Sequence, residues 1–254
     1  GQRFLHSDCR EMQRVSVDEI IMTYINMRRA RRAWRLFLVV TGLAVSVSAS
    51  SKTLDELFRE SGMVDATTLD QRIAVELLYA CDDNFTGVVL YTDSVNGCYL
   101  HPKAAQALAR AQAELSRIRP GFRLLVTDAA RPMSVQRRMY QSVRGTGKAR
   151  YVANPARGGG LHNFGMAVDL TIIDSSGAQL PMGTPVDHLG PEANIDREAQ
   201  LVRQGRITAE ERENRQLLRR VMVAAGWRPL RTEWWHFDLT TRSNARRYYR
   251  LLDF

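Results

Sequence analysis

The segment GLHNFGMAVDLTIID, residues 160–174, limits the fold of this chain more than any other part of the sequence. Its second half alternates with period two, which predicts a β-strand over residues 166–174. The centre of one strand face is apolar, and the other face carries Asp169 among small and β-branched side chains. His162 precedes the strand. A loop-capping histidine and a carboxylate bound by backbone donors would explain this pair as well as a functional site would.

Helices and short strands follow one another irregularly along the rest of the chain. We predict helices over residues 53–61, 101–118, 134–143 and 208–226 and from Ser243, and strands over 72–80, 122–128, 166–174 and 233–239. No βαβ repeat joins these elements, and 254 residues with 44% apolar content can bury one substantial core. The sequence therefore predicts a single α+β domain with a small, largely antiparallel sheet flanked by helices.

Two of the predicted helices have marked ends. The helix over 208–226 starts with a capping box of Thr208 and Glu211 and ends at Gly226. The helix over 134–143 is expected to use Ser134 as its cap.

The first fifty residues do not fit this core. From Met27 the chain carries five arginines, then an apolar run of about 12 residues, then small residues. This order is typical of a secretory signal peptide, and the run is shorter than the roughly 20 residues of a membrane-spanning helix. We interpret residues 1–26 as a non-native leader or upstream extension, 27–50 as a signal peptide, and 51–254 as the functional domain. The protein is thus expected to be exported to the periplasm without stable membrane insertion.

Much of the net charge belongs to the leader. The whole chain has a net charge of +9, whereas without residues 1–50 it has 28 basic and 23 acidic residues, a net charge of +5. The remaining arginines are spread over helices without interleaved aromatic residues, which disfavours nucleic-acid binding. The sequence does not determine the oligomeric state.

Three cysteines are present, and Cys9 lies in the leader. In an exported, oxidising compartment Cys81 and Cys98 can form a disulfide. The alternative is that both are small buried apolar residues, as free cysteines often are.

A second imidazole and a second carboxylate occur far along the chain, in RTEWWHFDL, as His236 and Glu233. His162, Asp169 and His236 together make a three-ligand zinc set with a fourth position open, as in catalytic sites. Glu233 would then be the base that deprotonates a water molecule whose pKa zinc lowers to about 7. In a regular strand positions 233 and 236 point to opposite faces, so we expect a backbone break near Glu233.

The two segments GLHNFGMAVDL and EWWHF resemble the zinc motifs of the D-alanyl-D-alanine dipeptidases, a family of zinc D,D-peptidases. The family pattern is Ser-x-His-x-x-Gly-x-Ala-x-Asp followed by Glu-x-x-His. YACDDNFTG, TDAARP, PMGTPVD and NRQLLRRVMVAAGW resemble further blocks of the family in the same order, so the resemblance extends from Tyr79 to Leu239. It implies a hedgehog/D,D-peptidase-like fold, one zinc ion per chain, and hydrolysis of a small D-amino-acid dipeptide in cell-wall metabolism.

The resemblance also implies roles for individual residues. Zinc ligation falls to His162, Asp169 and His236, the general base to Glu233, oxyanion stabilisation to Arg131, and binding of the substrate's amino end to Tyr79 and Asp187. An arginine suits the oxyanion because its guanidinium is always charged and offers several donors. Asp128 would orient Arg131 from three residues away, or simply form a turn at the strand end. Tyr79 and Asp187 would otherwise be a core residue and a loop residue.

Two positions depart from the family pattern. Gly160 stands where the motif has a serine that contacts substrate, and Ala130 replaces an aromatic residue before Arg131. The first departure weakens the expectation of strict D-Ala-D-Ala specificity. Two alternatives remain: a peptidoglycan D,D-carboxypeptidase or L,D-endopeptidase, and a non-catalytic zinc-binding interaction domain. A carboxylate that binds a free amino terminus favours dipeptides over the first, and Glu233 with Arg131 argues against the second.

Overall fold

Two sheets form the β-structure of the computed structural model, which describes residues 52–92 and 95–254. A short antiparallel pair joins β1 (Val64–Asp65) to β3 (Tyr99–Leu100). The main sheet contains β2 (Ala74–Val75), β4 (Arg123–Asp128), β5 (Ala167–Ile173), β6 (Arg228–Leu230) and β7 (Glu233–Asp238), in the spatial order β2-β4-β5-β7-β6. The β2–β4 pair is parallel and the other pairs are antiparallel. The prediction of a small, largely antiparallel sheet is confirmed.

The described residues also form six α-helices. They are α1 (Leu54–Glu60), α2 (Pro102–Ile118), α3 (Met133–Val143), α4 (Glu198–Arg203), α5 (Ala209–Ala224) and α6 (Arg242–Tyr248). The capping box predicted for α5 is present, because Thr208 and Glu211 each bind the other's backbone N–H. The predicted cap of α3 is wrong. This helix starts at Met133 after Pro132, whose fixed φ leads into a helix without any side-chain cap.

The main core lies where α2 and α5 pack together and against the sheet. The alanine-rich face of α2 allows the close approach of this helix. Every residue of β5 is buried, so the central strand is covered on both faces. A second apolar cluster joins α1 and α3 to the end of the chain at Leu252. Residues 52–254 belong to one unit, which confirms the single α+β domain.

The strand predicted over residues 72–80 is mostly absent. Only Ala74 and Val75 pair with β4, and a 3-10 turn, Leu78–Ala80, follows. The alternating residues Leu77 and Tyr79 are nevertheless buried. The Tyr79 carbonyl accepts two backbone N–H groups from the facing loop instead of joining a strand ladder. The burial of every second residue is therefore produced here by a turn at the edge of the sheet and not by a strand.

Of the two alternatives left open for Cys81 and Cys98, their disulfide is not formed, because Cys98 carries a free thiol that is fully buried. Cys98 instead packs as a small apolar residue in the core. The predictions for residues 1–50 lie outside the described residues. Within the described ranges, none of the helices combines the length and the apolar character needed to cross a membrane.

Candidate active site

Strand register brings the acidic and imidazole groups of the site together. In the antiparallel ladders Asp128 on β4 lies opposite Asp169 on β5, and Asp169 lies opposite His236 on β7. Directly opposed residues have neighbouring side chains on one sheet face. His162 reaches the same place from the 3-10 turn Leu161–Phe164 that precedes β5. The sequence motifs thus converge because their strands are neighbours.

The turn that carries His162 is fixed by Asn163, whose side chain is fully buried. Asn163 Oδ1 accepts the N–H of Gly160 at 2.8 Å, and Nδ2 donates to the carbonyl of Arg131 at 2.7 Å. Gly165 ends the turn with φ +63°, and a Cβ there would come within 2.7 Å of a methionine sulfur. Only glycine satisfies both constraints at this position.

The donor atoms of His162, Asp169 and His236 form a compact group, all within 4.8 Å of one another. His162 Nε2 lies 3.3 Å from His236 Nδ1 and 3.3 Å from Asp169 Oδ2, and His236 Nδ1 lies 2.9 Å from Asp169 Oδ1. Donors placed tetrahedrally at zinc–ligand distances of about 2.0–2.1 Å would be roughly 3.3 Å apart. Two nitrogens and one carboxylate with this spacing therefore fit a zinc ion.

Hydrogen bonds on the far side of each ring set the tautomers that a metal requires. His162 Nδ1 lies 2.7 Å from the carbonyl of Ala129, which only accepts, so Nδ1 carries the proton and Nε2 faces the cluster. His236 Nε2 lies 2.9 Å from Asp238 Oδ1, so its Nδ1 faces the cluster. Such partners of ligating histidines hold the ring and strengthen the ligand. Sequence reasoning missed Asp238, although its spacing of two residues from His236 places both on one strand face.

Charge within the cluster is balanced before any metal binds. Burial by itself would raise the pKa of Asp169, but the adjacent imidazoles hold it well below its usual range. Burial would likewise lower the pKa of His236, but the charge of Asp169 and its hydrogen bonds raise it well above 6.5. The cluster therefore holds an ionised carboxylate among groups that compensate its charge.

Glu233 lies beside the cluster because β7 breaks at this point. Leu230 of β6 pairs with Glu233, whereas the preceding residue, Pro229, pairs with Phe237, so extra β7 residues bulge out between the two pairs. The expected break near Glu233 is present. It places Glu233 Oε2 4.0 Å from His236 Nδ1. Burial raises the pKa of Glu233, the direction that suits a proton acceptor.

Arg131 is buried and is held on several sides. Its Nε donates to Asp128 Oδ2 at 3.0 Å, its Nη2 also binds Asp128, and its Nη1 donates to Gln136 Oε1 at 3.0 Å and to the Met139 sulfur at 3.2 Å. Burial would lower the pKa of the guanidinium, but the charge of Asp128 raises it, so Arg131 is a permanent cation. Of five N–H donors, one on Nη2 is left for the cleft. Tyr91 fixes Asp128 in turn through a hydroxyl bond of 2.9 Å.

Outside the metal cluster, the site contains the two residues expected at the substrate's amino end. Tyr79 donates its hydroxyl to Asp187 Oδ2 at 2.8 Å, and the Arg131 guanidinium lies 5.2 Å from the centre of the Tyr79 ring. Asp187 has φ +63° in a loop between β5 and α4. Burial, followed by the charge of Asp169, raises the pKa of Asp187 to about 8. A cation bound beside Asp187 would favour the ionised carboxylate and lower this pKa again.

Of the side chains for which the sequence predicted a role, all except Asp128 line one cleft with a volume of about 680 Å³. Sites of this size hold ligands larger than an alanine dipeptide. Gly160 contributes an open stretch of wall, and its neighbour there is Ala153. The structure therefore brings together every residue for which the sequence predicted a role.

Fold and site together define a metal-dependent type of peptidase. Residues 59–252 match the family model for Peptidase_M15, D-Ala-D-Ala dipeptidase. The chain belongs to this family, as the resemblance of its motifs predicted.

Individual relatives are similar over most of their length. A D-alanyl-D-alanine dipeptidase of Escherichia coli (strain K12) is 32% identical over 179 residues, covering 70% of this chain and 84% of the relative. One from Enterococcus faecalis (strain ATCC 700802 / V583) is 27% identical over 195 residues, covering 71% and 92%. One from Streptomyces coelicolor is 30% identical over 188 residues, covering 67% and 88%.

Proposed function

We propose that this protein is a zinc-dependent dipeptidase that hydrolyses D-Ala-D-Ala, or a close D-amino-acid dipeptide, in cell-wall metabolism. The observation that carries the proposal is Glu233 beside a three-donor cluster, 4.0 Å from His236 Nδ1, in a cleft that also contains Asp187. The names of the relatives support the substrate class. Export to the periplasm, proposed from residues 27–50, would bring the enzyme to cell-wall peptides.

Each residue of the site has a separate role in the proposed reaction. When bound by His162, Asp169 and His236, zinc would supply Lewis acidity that polarises the scissile carbonyl and lowers the pKa of water to about 7. Glu233 takes the proton of the attacking water and passes it to the leaving amine. The free N–H of Arg131 donates to the oxygen that becomes negative. The positions of these residues around the cluster support these roles.

Asp187 sets the length of the substrate. A protonated amino group bound to this carboxylate gains a charge-assisted hydrogen bond, and Tyr79 holds the carboxylate in place. A longer peptide would have to replace that ammonium with a neutral amide, leaving the carboxylate unpaired. This arrangement favours a free dipeptide over the carboxypeptidase and endopeptidase alternatives. The non-catalytic alternative gives no reason for Glu233 and Arg131 to lie beside the cluster.

Replacing Glu233 by Gln tests the chemistry. Because the amide cannot accept a proton but keeps the shape, turnover of D-Ala-D-Ala should fall about 10²- to 10⁴-fold while zinc content stays the same. Glu213, an exposed residue of α5, provides the matched control Glu213→Gln, which should keep full activity. Retention of activity by Glu233→Gln would assign the base to another residue.

Acetylating the substrate tests its length. N-acetyl-D-Ala-D-Ala should lose roughly 10- to 100-fold in kcat/KM relative to the free dipeptide, because the bond to Asp187 is worth about 1.5–3 kcal/mol. L-Ala-D-Ala and a muramyl pentapeptide complete the comparison on residues 51–254. Equal cleavage of the free and the acetylated or muramyl substrates would replace the dipeptidase proposal with the carboxypeptidase or endopeptidase one.

A further inference from the structure

Four exposed arginines line the cleft outside the metal cluster: Arg150, Arg157, Arg228 and Arg242, here called the basic rim. No ion pair joins any of them to a carboxylate of the described residues. Arginines elsewhere in the chain differ in this respect, since Arg72, Arg117, Arg219 and Arg231 each contact an acidic side chain within 3 Å. The basic rim is therefore a set of uncompensated positive charges facing the cleft.

The inner part of the cleft is lined by acidic side chains instead. Asp169, Glu233 and Asp187 line it, and Asp187 is the group suited to an ammonium. A free dipeptide is a zwitterion, so its carboxylate needs a cation elsewhere in the same cleft. Arg131 is already bound to Asp128 and Gln136 and keeps one donor for the reacting oxygen. The cations that remain along the described lining, apart from the cluster imidazoles, are those of the basic rim.

Arg150 and Arg157 lie on the wall segment, residues 147–157, which leads directly into the turn of His162. This segment packs against Gly160, where a Cβ would lie 3.1 Å from the Cβ of Ala153. Because Gly160 has no side chain, nothing at this position stands between the wall segment and the cleft.

The side chain of Gln136 ties the wall segment to the reaction centre, and an aromatic ring within the segment orders Arg150. Gln136 is buried, donates from Nε2 to the carbonyl of Ala153 at 2.8 Å, and accepts from Arg131 through Oε1. The guanidinium of Arg150 donates to the Tyr151 hydroxyl at 3.1 Å and lies 4.9 Å from the centre of that ring. Stacking on an aromatic ring limits the freedom of an exposed arginine and reduces the cost of ordering it on binding.

We propose that Arg150 and Arg157 bind the C-terminal carboxylate of the dipeptide. This inference rests on the proposed function and extends it. The substrate lies with its ammonium at Asp187, its scissile bond at the cluster, and its carboxylate at the wall segment. An arginine suits this position because its planar fork matches a carboxylate with two parallel hydrogen bonds.

The test compares D-Ala-D-Ala with D-alanyl-D-alaninamide, which differs in having no C-terminal charge. The zinc-loaded protein should prefer the acid by roughly tenfold in kcat/KM, as one charged hydrogen bond provides. In the double variant Arg150→Gln/Arg157→Gln this preference should fall to about one, with the amide cleaved as before. Arg144→Gln is the matched control: Arg144 is exposed near the same segment but lies outside the cleft lining, so this variant should keep the preference.

Several outcomes would overturn the assignment. One is an unchanged preference in the double variant, and another is its loss in Arg228→Gln/Arg242→Gln instead. Equal weakening of acid and amide would show a general disturbance of the site. Calorimetric binding of both ligands to the Glu233→Gln variant, with and without the arginine substitutions, separates this inference from the proposed function. Absence of hydrolysis in the parent protein would refute the function, while the binding preference would still report on the two arginines.

Discussion

The metal cluster and the amine end of the cleft lie in one site but are built in different ways. Two cluster donors, on Asp169 and His236, are directly opposed in the ladder of central strands. At the amine end, Tyr79 lies on a 3-10 turn and Asp187 on a loop with φ +63°. Strand pairing fixes the first region within the core of the fold. The second depends on side-chain anchors, so substrate preference can change there without disturbing the chemistry.

Buried side chains of a helix and a strand hold the Asp187 loop in place. Arg215 of α5 donates to the carbonyl of Met182 at 2.6 Å and to that of Glu192 at 2.9 Å, one near each end of the loop. The Trp234 indole donates to Thr184 at 2.8 Å. The loop is therefore positioned by a helix and by the strand that carries Glu233. These contacts make the amine end a defined structure despite its irregular backbone.

Removing a donor from the cluster should have the largest effect. Asp169→Asn replaces a charged ligand with a neutral amide, and zinc affinity should fall by more than about 100-fold, beyond the range seen for partners outside the ligand set. Metal analysis after dialysis against a competing chelator measures it. Asp253→Asn, an exposed aspartate far along the chain, is the control. Full zinc content in Asp169→Asn would show that the cluster is not the metal site.

A substitution at the amine end should reduce catalysis and leave the metal content unchanged. Asp187→Asn keeps an acceptor for Tyr79 and tolerates the positive φ, but loses the charge that binds the ammonium. We expect kcat/KM for D-Ala-D-Ala to fall roughly 10- to 100-fold with zinc unchanged. N-acetyl-D-Ala-D-Ala serves as control substrate, since its cleavage should not weaken. A parallel loss on both substrates would contradict the role of Asp187.

A smaller effect on zinc affinity is expected from Asp238, which contacts His236 on the side of the ring away from the cluster. Asp238→Asn leaves an acceptor for His236 Nε2 but removes its negative charge, which should reduce zinc affinity about tenfold. Titration with a chromophoric chelator resolves such a change. Asp238→Ala should lower the affinity further, because the ring also loses its partner. If neither variant differs from the parent protein, the ring of His236 is held by other contacts.

The smallest effect is on stability and depends on pH. The pKa of Asp187 is about 8 in the folded protein and about 3.9 in an unfolded chain, so the folded state retains a proton between these values. Stability from this group is present at low pH and is lost as pH rises toward 8, by about 1.4 kcal/mol per pH unit. Asp187→Asn should therefore gain stability over the parent protein as pH rises. Urea unfolding of the metal-free protein at about pH 5 and pH 7.5 measures the gain, and a constant difference would mean that Asp187 is ionised throughout.

The two regions also differ in how far sequence alone could describe them. Strand periodicity located Asp169 and His236, and the opposed faces of positions 233 and 236 were enough to require the break that β7 shows. Such inferences succeed because they concern residues close in sequence on regular elements. The class of fold followed similarly from the irregular order of elements.

Features that depend on packing between distant segments were not predictable. The alternating residues around Tyr79 indicated a strand, whereas the sheet edge ends there in a turn. Gln136 gave no signal, because its role depends on α3 lying between Arg131 and the carbonyl of Ala153. Asp187 was matched only through the family resemblance, since nothing local indicates that a loop aspartate reaches the hydroxyl of Tyr79.

The contact between Gly160 and Ala153 has a consequence for the evolution and engineering of this enzyme. A serine at position 160 would bring its Cβ to 3.1 Å from that of Ala153, closer than most such contacts allow. Gln136 holds the carbonyl of Ala153, so the wall has little freedom to retreat. The two positions are therefore epistatic: Gly160→Ser is accommodated more readily after Ala153→Gly than before it. A lineage that acquires alanine at 153 first is restricted in recovering the serine, so the order of substitutions decides which specificities remain accessible.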